Sequence, residues 1–166
     1  AESPNVPLVR DVTVHDLLGR APTEIDIAAC GGMLHGRTVM VTGGAGSIGA
    51  ELCRQALAFD PERVLAVDLN ETGLYELQAE TRMRAETENL EVRVADVTDE
   101  QEMAALCGRF RPAVVFHAAA YKHVPLMESH PRTVLRTNVI GTLNVGRAAR
   151  AAGAERFVLI STDKAV

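Results

Sequence analysis

The feature that most constrains this chain is Thr42-Gly43-Gly44-Ala45-Gly46-Ser47-Ile48-Gly49, set between a short β-branched run and an amphipathic segment. Residues 38–42 (TVMVT) read as a buried strand, and residues 47–59 as a helix with Ile48, Leu52, Gln55 and Ala56 along one face. Gly43, Gly46 and Gly49 therefore occupy a strand-to-helix turn, the context in which such a triplet becomes a dinucleotide fingerprint. One glycine makes the tight turn, one lets backbone approach a pyrophosphate, and one lets helix and strand pack. The helix N-terminus adds N–H groups and the positive end of its dipole. Ala45, Ser47 and Ile48 lie among these glycines and join them as candidate cofactor contacts. A glycine-rich turn without a ligand is the plainer alternative.

Downstream, short β-branched runs alternate with helical patterns, the signature of βαβ units and a parallel sheet. Strands are expected at 64–67, 90–94, 113–116 and 157–160, and helices at 71–84, from Thr98 with Gln101 as its capping box, and at about 131–152 with Gly153 closing it. Asp60-Pro61 ends the first helix, and Gly108 and Pro112 bracket a later boundary. The fold class is thus α/β, a Rossmann-type doubly wound parallel sheet of order 3-2-1-4-5 with a crevice above the carboxyl ends of its first and fourth strands. Residues 1–35 differ. Thr13-x-x-Asp16 and Thr23-x-x-Asp26 read as helix starts, Gly19 and Gly31-Gly32 as stops, so a short helical extension is expected before a cofactor-binding domain at 36–166.

Other candidate contacts follow from strand ends. Asp68 ends the second strand about 20 residues after the last glycine, where a carboxylate accepts from the ribose hydroxyls. With Asn70 beside it and no Arg or Lys in 43–49 or 69–71, NAD is favoured over NADP. Asp68 also suits a helix cap. Asp96 and Val97 end the third strand, where Asp96 suits either an adenine amino contact or a cap. Ala118, Ala119 and Ala120 follow the fourth strand, small enough for backbone to lie against a cofactor or simply to pack tightly.

Composition excludes other classes. A formal charge of -5 offers no basic face for a nucleic acid. Cys30, Cys53 and Cys107 are odd in number and widely spaced, which argues for a reducing compartment and against a metal site. No apolar run approaches a membrane span, so the chain reads as soluble and cytoplasmic.

Four stretches carry a resemblance: VMVTGGAGSIGAELCRQ (39–55), HAAAYKHVPLME (117–128), TNVIGT (137–142) and LISTDKAV (159–166). Together they resemble extended short-chain dehydrogenase/reductases that act on nucleotide sugars, and within these the bacterial polysaccharide-biosynthesis 4,6-dehydratases. The resemblance implies dehydration of a UDP-sugar through tightly held NAD(P), with a UDP-N-acetylhexosamine the leading substrate. It implies that Ser161 or Thr162 holds the C4 hydroxyl, that Asp163 protonates the departing C6 hydroxyl, and that Lys164 is the C5 base or its partner. From the residues alone, Asp163-Lys164 reads more readily as a solvated ion pair. Lys122 and His123 become candidate substrate contacts, with exposed loop residues as the alternative. Asn138 becomes a helix residue that orients a catalytic lysine through water.

The resemblance also implies a homo-oligomer and, in longer members, a membrane anchor before the catalytic domain. The family's Tyr-x-x-x-Lys, or Met-x-x-x-Lys, is expected beyond Val166, so the chain reads as a fragment without turnover of its own. A 4-epimerase and a non-catalytic dinucleotide-binding module remain the competing readings.

Overall fold

Strands as apolar as TVMVT and RVLAVD need cover on both faces, and the chain supplies it. The computed structural model describes the backbone of residues 27–83 and 88–161 and the side chains of residues 31–83 and 88–161. Strands β1 (Thr38–Thr42), β2 (Arg63–Asp68), β3 (Leu90–Val94), β4 (Val114–His117) and β5 (Arg156–Leu159) form one parallel sheet of order β3-β2-β1-β4-β5. This is the doubly wound order expected from the strand pattern.

The pleat sends alternate residues of each strand to opposite faces. Val39, Val41, Val64 and Ala66 meet α1 (Ile27–Leu34), α2 (Ser47–Leu57) and α3 (Glu71–Met83) through Leu34, Cys53, Leu57, Leu74 and Leu77. Met40, Leu65, Val67 and Val115 meet α4 (Glu100–Phe110) and α7 (Thr142–Ala151) through Met103, Cys107, Phe110, Val145 and Ala149. Each fully buried Val, Leu or Met contributes about 1.5–3 kcal/mol relative to exposure. Register aligns Thr42 with Val67 and with His117, and His117 with Leu159, so the strands exit along one edge.

Beyond β4 come α5 (Val124–Met127), α6 (Pro131–Val134) and a π-helical segment, Leu135–Gly141, that continues into α7. The single long helix expected there is one rod whose middle is wider than an α-helix. The sheet's two edges differ. At β3, Glu91 pairs with Arg63 at 3.2 Å and with Arg93, and Arg63, Arg93 and Arg109 all place their guanidinium groups over the Phe110 ring. β5 lies exposed along its whole length.

Several local expectations need correction. α1 runs through Gly31-Gly32 to Leu34, and the left-handed glycine that follows the helix is Gly36, at φ 64°. The earlier pattern at Thr13–Asp16 lies outside the described residues. The buried face of α2 is Gly49, Ala50, Cys53, Ala56 and Leu57, whereas Ile48 is 52% exposed. Packing Gly49 against the turn rotates the helix that way. Gly108 lies within α4, which continues until Phe110 reaches the core, and Arg111 at φ 45° makes the turn.

The α4 cap is also displaced by one residue. Asp99, not Thr98, accepts from the N–H groups of Gln101 and Glu102 at 2.9 and 3.0 Å. Thr98 is held in the preceding turn by the Asp96 carboxylate, and its hydroxyl is buried without a partner among the described residues. Asp99→Ala is expected to cost about 1 kcal/mol, read as a lower denaturant midpoint at unchanged slope.

Candidate functional site

At the carboxyl edge of the sheet a cleft of about 190 Å³ opens between the exits of β1, β2, β3 and β4. Gly43, Gly46, Asp68, Asp96, Val97 and Ala118 to Ala120 line it, together with Leu69, Ala95, Tyr121 and Thr137. The strand ends thus converge as sequence reading expects, and the last four are additional. Leu69 and Ala95 follow β2 and β3 as apolar residues with no chemical signature. Tyr121 and Thr137 enter through the loop after β4 and the π segment, which periodicity does not reveal.

Two glycines are required by contact rather than by habit. Gly43 has φ 72° and lies against the β4 exit, where a Cβ would stand 2.6 Å from Ala118 C and Ala119 N. At Gly49 a Cβ would stand 1.9 Å from the Gly43 carbonyl oxygen. Gly46 is different: a Cβ there would meet only Gly43 O, at 3.3 Å, and the residue is exposed at the cleft. It starts α2 without a side-chain cap; its own N–H donates to Gly43 O at 3.0 Å, and the first-turn N–H groups that follow it suit an anionic ligand.

Asp68 ties the cleft to the sheet. Its carboxylate accepts from Ala45 N–H at 3.0 Å and from Asn70 N–H at 2.9 Å, one oxygen each. Each carboxylate oxygen retains a second acceptor site, suited to hydroxyl donors. Asn70 turns to its own helix, accepting from Gly73 N–H at 3.2 Å. Ala45, Ser47, Ile48 and Gly49 shape the turn without lining the cleft. Small side chains at Ala118 to Ala120, an acceptor at Asp68 and the start of α2 at Gly46 without a side-chain cap fit a flat, anionic, hydroxyl-bearing ligand.

Asn138 is clamped to the opposite wall. Its Oδ1 accepts from Tyr121 N–H and its Nδ2 donates to Tyr121 O, both at 2.9 Å. Lys122 and His123 are exposed beyond Tyr121 and outside the lining. Ser161 follows β5, exposed, on the same edge. Thr162, Asp163 and Lys164 lie outside the described residues.

Two buried thiols supply no nucleophile. Burial pushes Cys53 up to about 12 and Cys107 up to about 11, so both stay protonated. The buried imidazole of His117, which sequence reading passed over, is held down to about 4 by desolvation and is neutral. Among the described residues no three His, Cys, Asp or Glu side chains gather as a metal site, and no helix is long and apolar enough to cross a membrane.

Comparison with known proteins adds lineage to this geometry. The probable polysaccharide biosynthesis protein EpsC of Bacillus subtilis is 44% identical over 159 residues, 95% of this chain and 27% of EpsC. A Campylobacter jejuni UDP-N-acetylglucosamine 4,6-dehydratase (inverting) is 28% identical over 80% of this chain and 38% of its own length. The chain therefore spans about a quarter to two fifths of these relatives. The crystal structure of the Bordetella bronchiseptica enzyme WbmG in complex with NAD superposes with a TM-score of 0.66 at 29% identity, covering 78% of this chain and 38% of WbmG. Residues 39–166 match the family described as polysaccharide biosynthesis protein, and the chain belongs to that family.

Proposed function

We propose that this chain is the cofactor-binding part, residues 36–166 after a helical extension, of an NAD-dependent nucleotide-sugar 4,6-dehydratase acting on a UDP-N-acetylglucosamine-like substrate. The observation that carries the reading is the cleft itself, where the Asp68 carboxylate and the Ala118 to Ala120 exit converge on Gly46, the residue from which α2 starts and presents its first-turn amides without a side-chain cap. The amides receive the pyrophosphate, Asp68 receives the adenosine ribose hydroxyls, and the alanines admit the flat remainder of the cofactor. Asp68 disfavours NADP, because a 2′-phosphate would face a carboxylate. The relative that shares 28% identity and is named a 4,6-dehydratase supports the reaction class.

Held at Gly43, Gly46 and Asp68, NAD would supply a reversible hydride acceptor for the sugar. In this reading Ser161 or Thr162 holds the C4 hydroxyl, Lys164 or its partner takes the C5 proton that a 4-ketone acidifies, Asp163 delivers a proton to the departing C6 hydroxyl, and a proton returns to C5 as hydride adds at C6. Lys122 and His123 meet the substrate at the outer rim.

The test is product analysis with the intact protein and UDP-N-acetylglucosamine. A 4-keto-6-deoxy sugar with NAD unconsumed supports dehydration. Recovery of only the C4 epimer would replace it with epimerisation. Asp68→Asn is expected to weaken NAD about tenfold to a hundredfold, the loss of a hydrogen bond to a charged group. Unchanged affinity in a calorimetric titration would remove Asp68 from the cofactor site.

A further inference from the structure

A buried polar chain runs behind the cleft and is not part of its lining. Thr42 ends β1, its register partner His117 ends β4, and Thr142 begins α7. Thr42 is wholly buried and His117 is 1% exposed. Thr42 Oγ1 stands 2.6 Å from His117 Nδ1, His117 Nε2 stands 2.9 Å from Thr142 Oγ1, and Thr142 Oγ1 stands 2.7 Å from the Asn138 carbonyl oxygen.

Chemistry fixes the direction of every bond. A carbonyl can only accept, so the Thr142 hydroxyl donates to Asn138 O. The Thr142 oxygen then accepts from His117 Nε2–H. A neutral imidazole carries one N–H, so Nδ1 is an acceptor and the Thr42 hydroxyl donates to it. At the far end Thr142 N–H bonds to Val139 O, and the Thr142 hydroxyl donates to the Asn138 carbonyl at the end of the π segment.

We propose that His117 is a positioning residue for the cleft. As the Nε2–H tautomer it ties the strand end that enters the glycine turn to the π-helical turn, and the Asn138 side chain carries that position to Tyr121 in the opposite wall. Each joint is a named contact: Thr42 directly precedes Gly43, and Asn138 holds both backbone polar atoms of Tyr121. Phe157 of β5 stacks on the imidazole at 5.9 Å between centroids. Only the affinity arm of the test below rests on the reading of this cleft as a dinucleotide site.

The experiment uses the intact protein labelled with ¹⁵N at histidine and tyrosine. At neutral pH, His117 Nδ1 is expected to resonate as an unprotonated nitrogen and Nε2 as a protonated one; the reverse pattern overturns the proposal. Thr142→Val removes the hydroxyl at nearly constant shape and is expected to move the Tyr121 amide resonance, identified by its loss in Tyr121→Phe, and to weaken NAD about tenfold. Thr142→Ser is expected to restore both. A Tyr121 amide that stays in place in Thr142→Val, or that moves equally in Thr142→Ser, shows a histidine that merely fills the core and overturns the proposal. If the unmodified protein takes up no NAD, the cofactor reading fails, while the tautomer and the Tyr121 resonance still decide this one.

Discussion

Gly49→Ala is expected to cost on the order of 3 kcal/mol and to abolish measurable nucleotide binding. The added Cβ would stand 1.9 Å from Gly43 O and 2.6 Å from Gly43 C, far inside any carbon–oxygen contact. Relief would need α2 or the turn to move. The turn is pinned by Gly44 N–H on Val67 O and by Ala45 N–H on Asp68. The helix is pinned by Cys53, Ala56 and Leu57 in the core. Gly108→Ala is the counterpart: nothing lies within 4 Å of its added Cβ, and the site is an exposed position within α4. There the substitution is expected to stabilise by about 0.5–1 kcal/mol. Denaturant midpoints of the two variants check both signs, and a Gly49→Ala protein as stable as the parent would contradict the described approach of helix and turn.

The second large effect is on pH. His117 titrates in the unfolded chain near its ordinary 6.5 but only at about 4 when folded, because burial penalises its charged form. Between these values the unfolded chain binds the extra proton and the folded one does not. Stability from this group is therefore fully present above about pH 6.5 and is lost as pH falls toward about 4. The integrated effect is about 3 kcal/mol. Carboxylates titrate in part of the same window, so the measurement is a difference: unfolding free energy against pH for the parent and for His117→Gln. The parent is expected to fall more steeply between pH 6 and 4.5, and parallel curves would show that the imidazole takes up a proton while folded.

The strand ends were legible because each carries its own chemistry. A glycine triplet after TVMVT, an aspartate closing RVLAVD and three alanines after VVFH each announce a backbone that something must approach. The sheet order followed from handedness and needed no side-chain detail. What stayed hidden depends on contacts between distant residues. Periodicity could not distinguish Thr98 from Asp99 as a cap, since both are good caps and only the turn at Asp96 decides between them. It put Ile48 on the buried face, because the rotation of α2 is set by one glycine against a carbonyl. It read the segment about 131–152 as uniform helix, whereas the π turn arises where Asn138 and Thr142 find partners in Tyr121 and His117. His117 itself stands in the string HAAAYKHVPLME, yet nothing local says that it is buried and neutral.

The contrast between the sheet's two margins has a consequence for how the protein can be extended. At β3 the side chains of Glu91 and Arg93, with Arg63 and Arg109 gathered over Phe110, present charge to any incoming backbone and make lateral pairing costly. At β5, Phe157, Val158 and Leu159 are 39%, 36% and 52% exposed beside strand backbone that pairs only with β4 among the described residues. The sheet therefore has one margin guarded by charge and one that presents apolar side chains, so an added strand is disfavoured beside β3 and favoured beside β5.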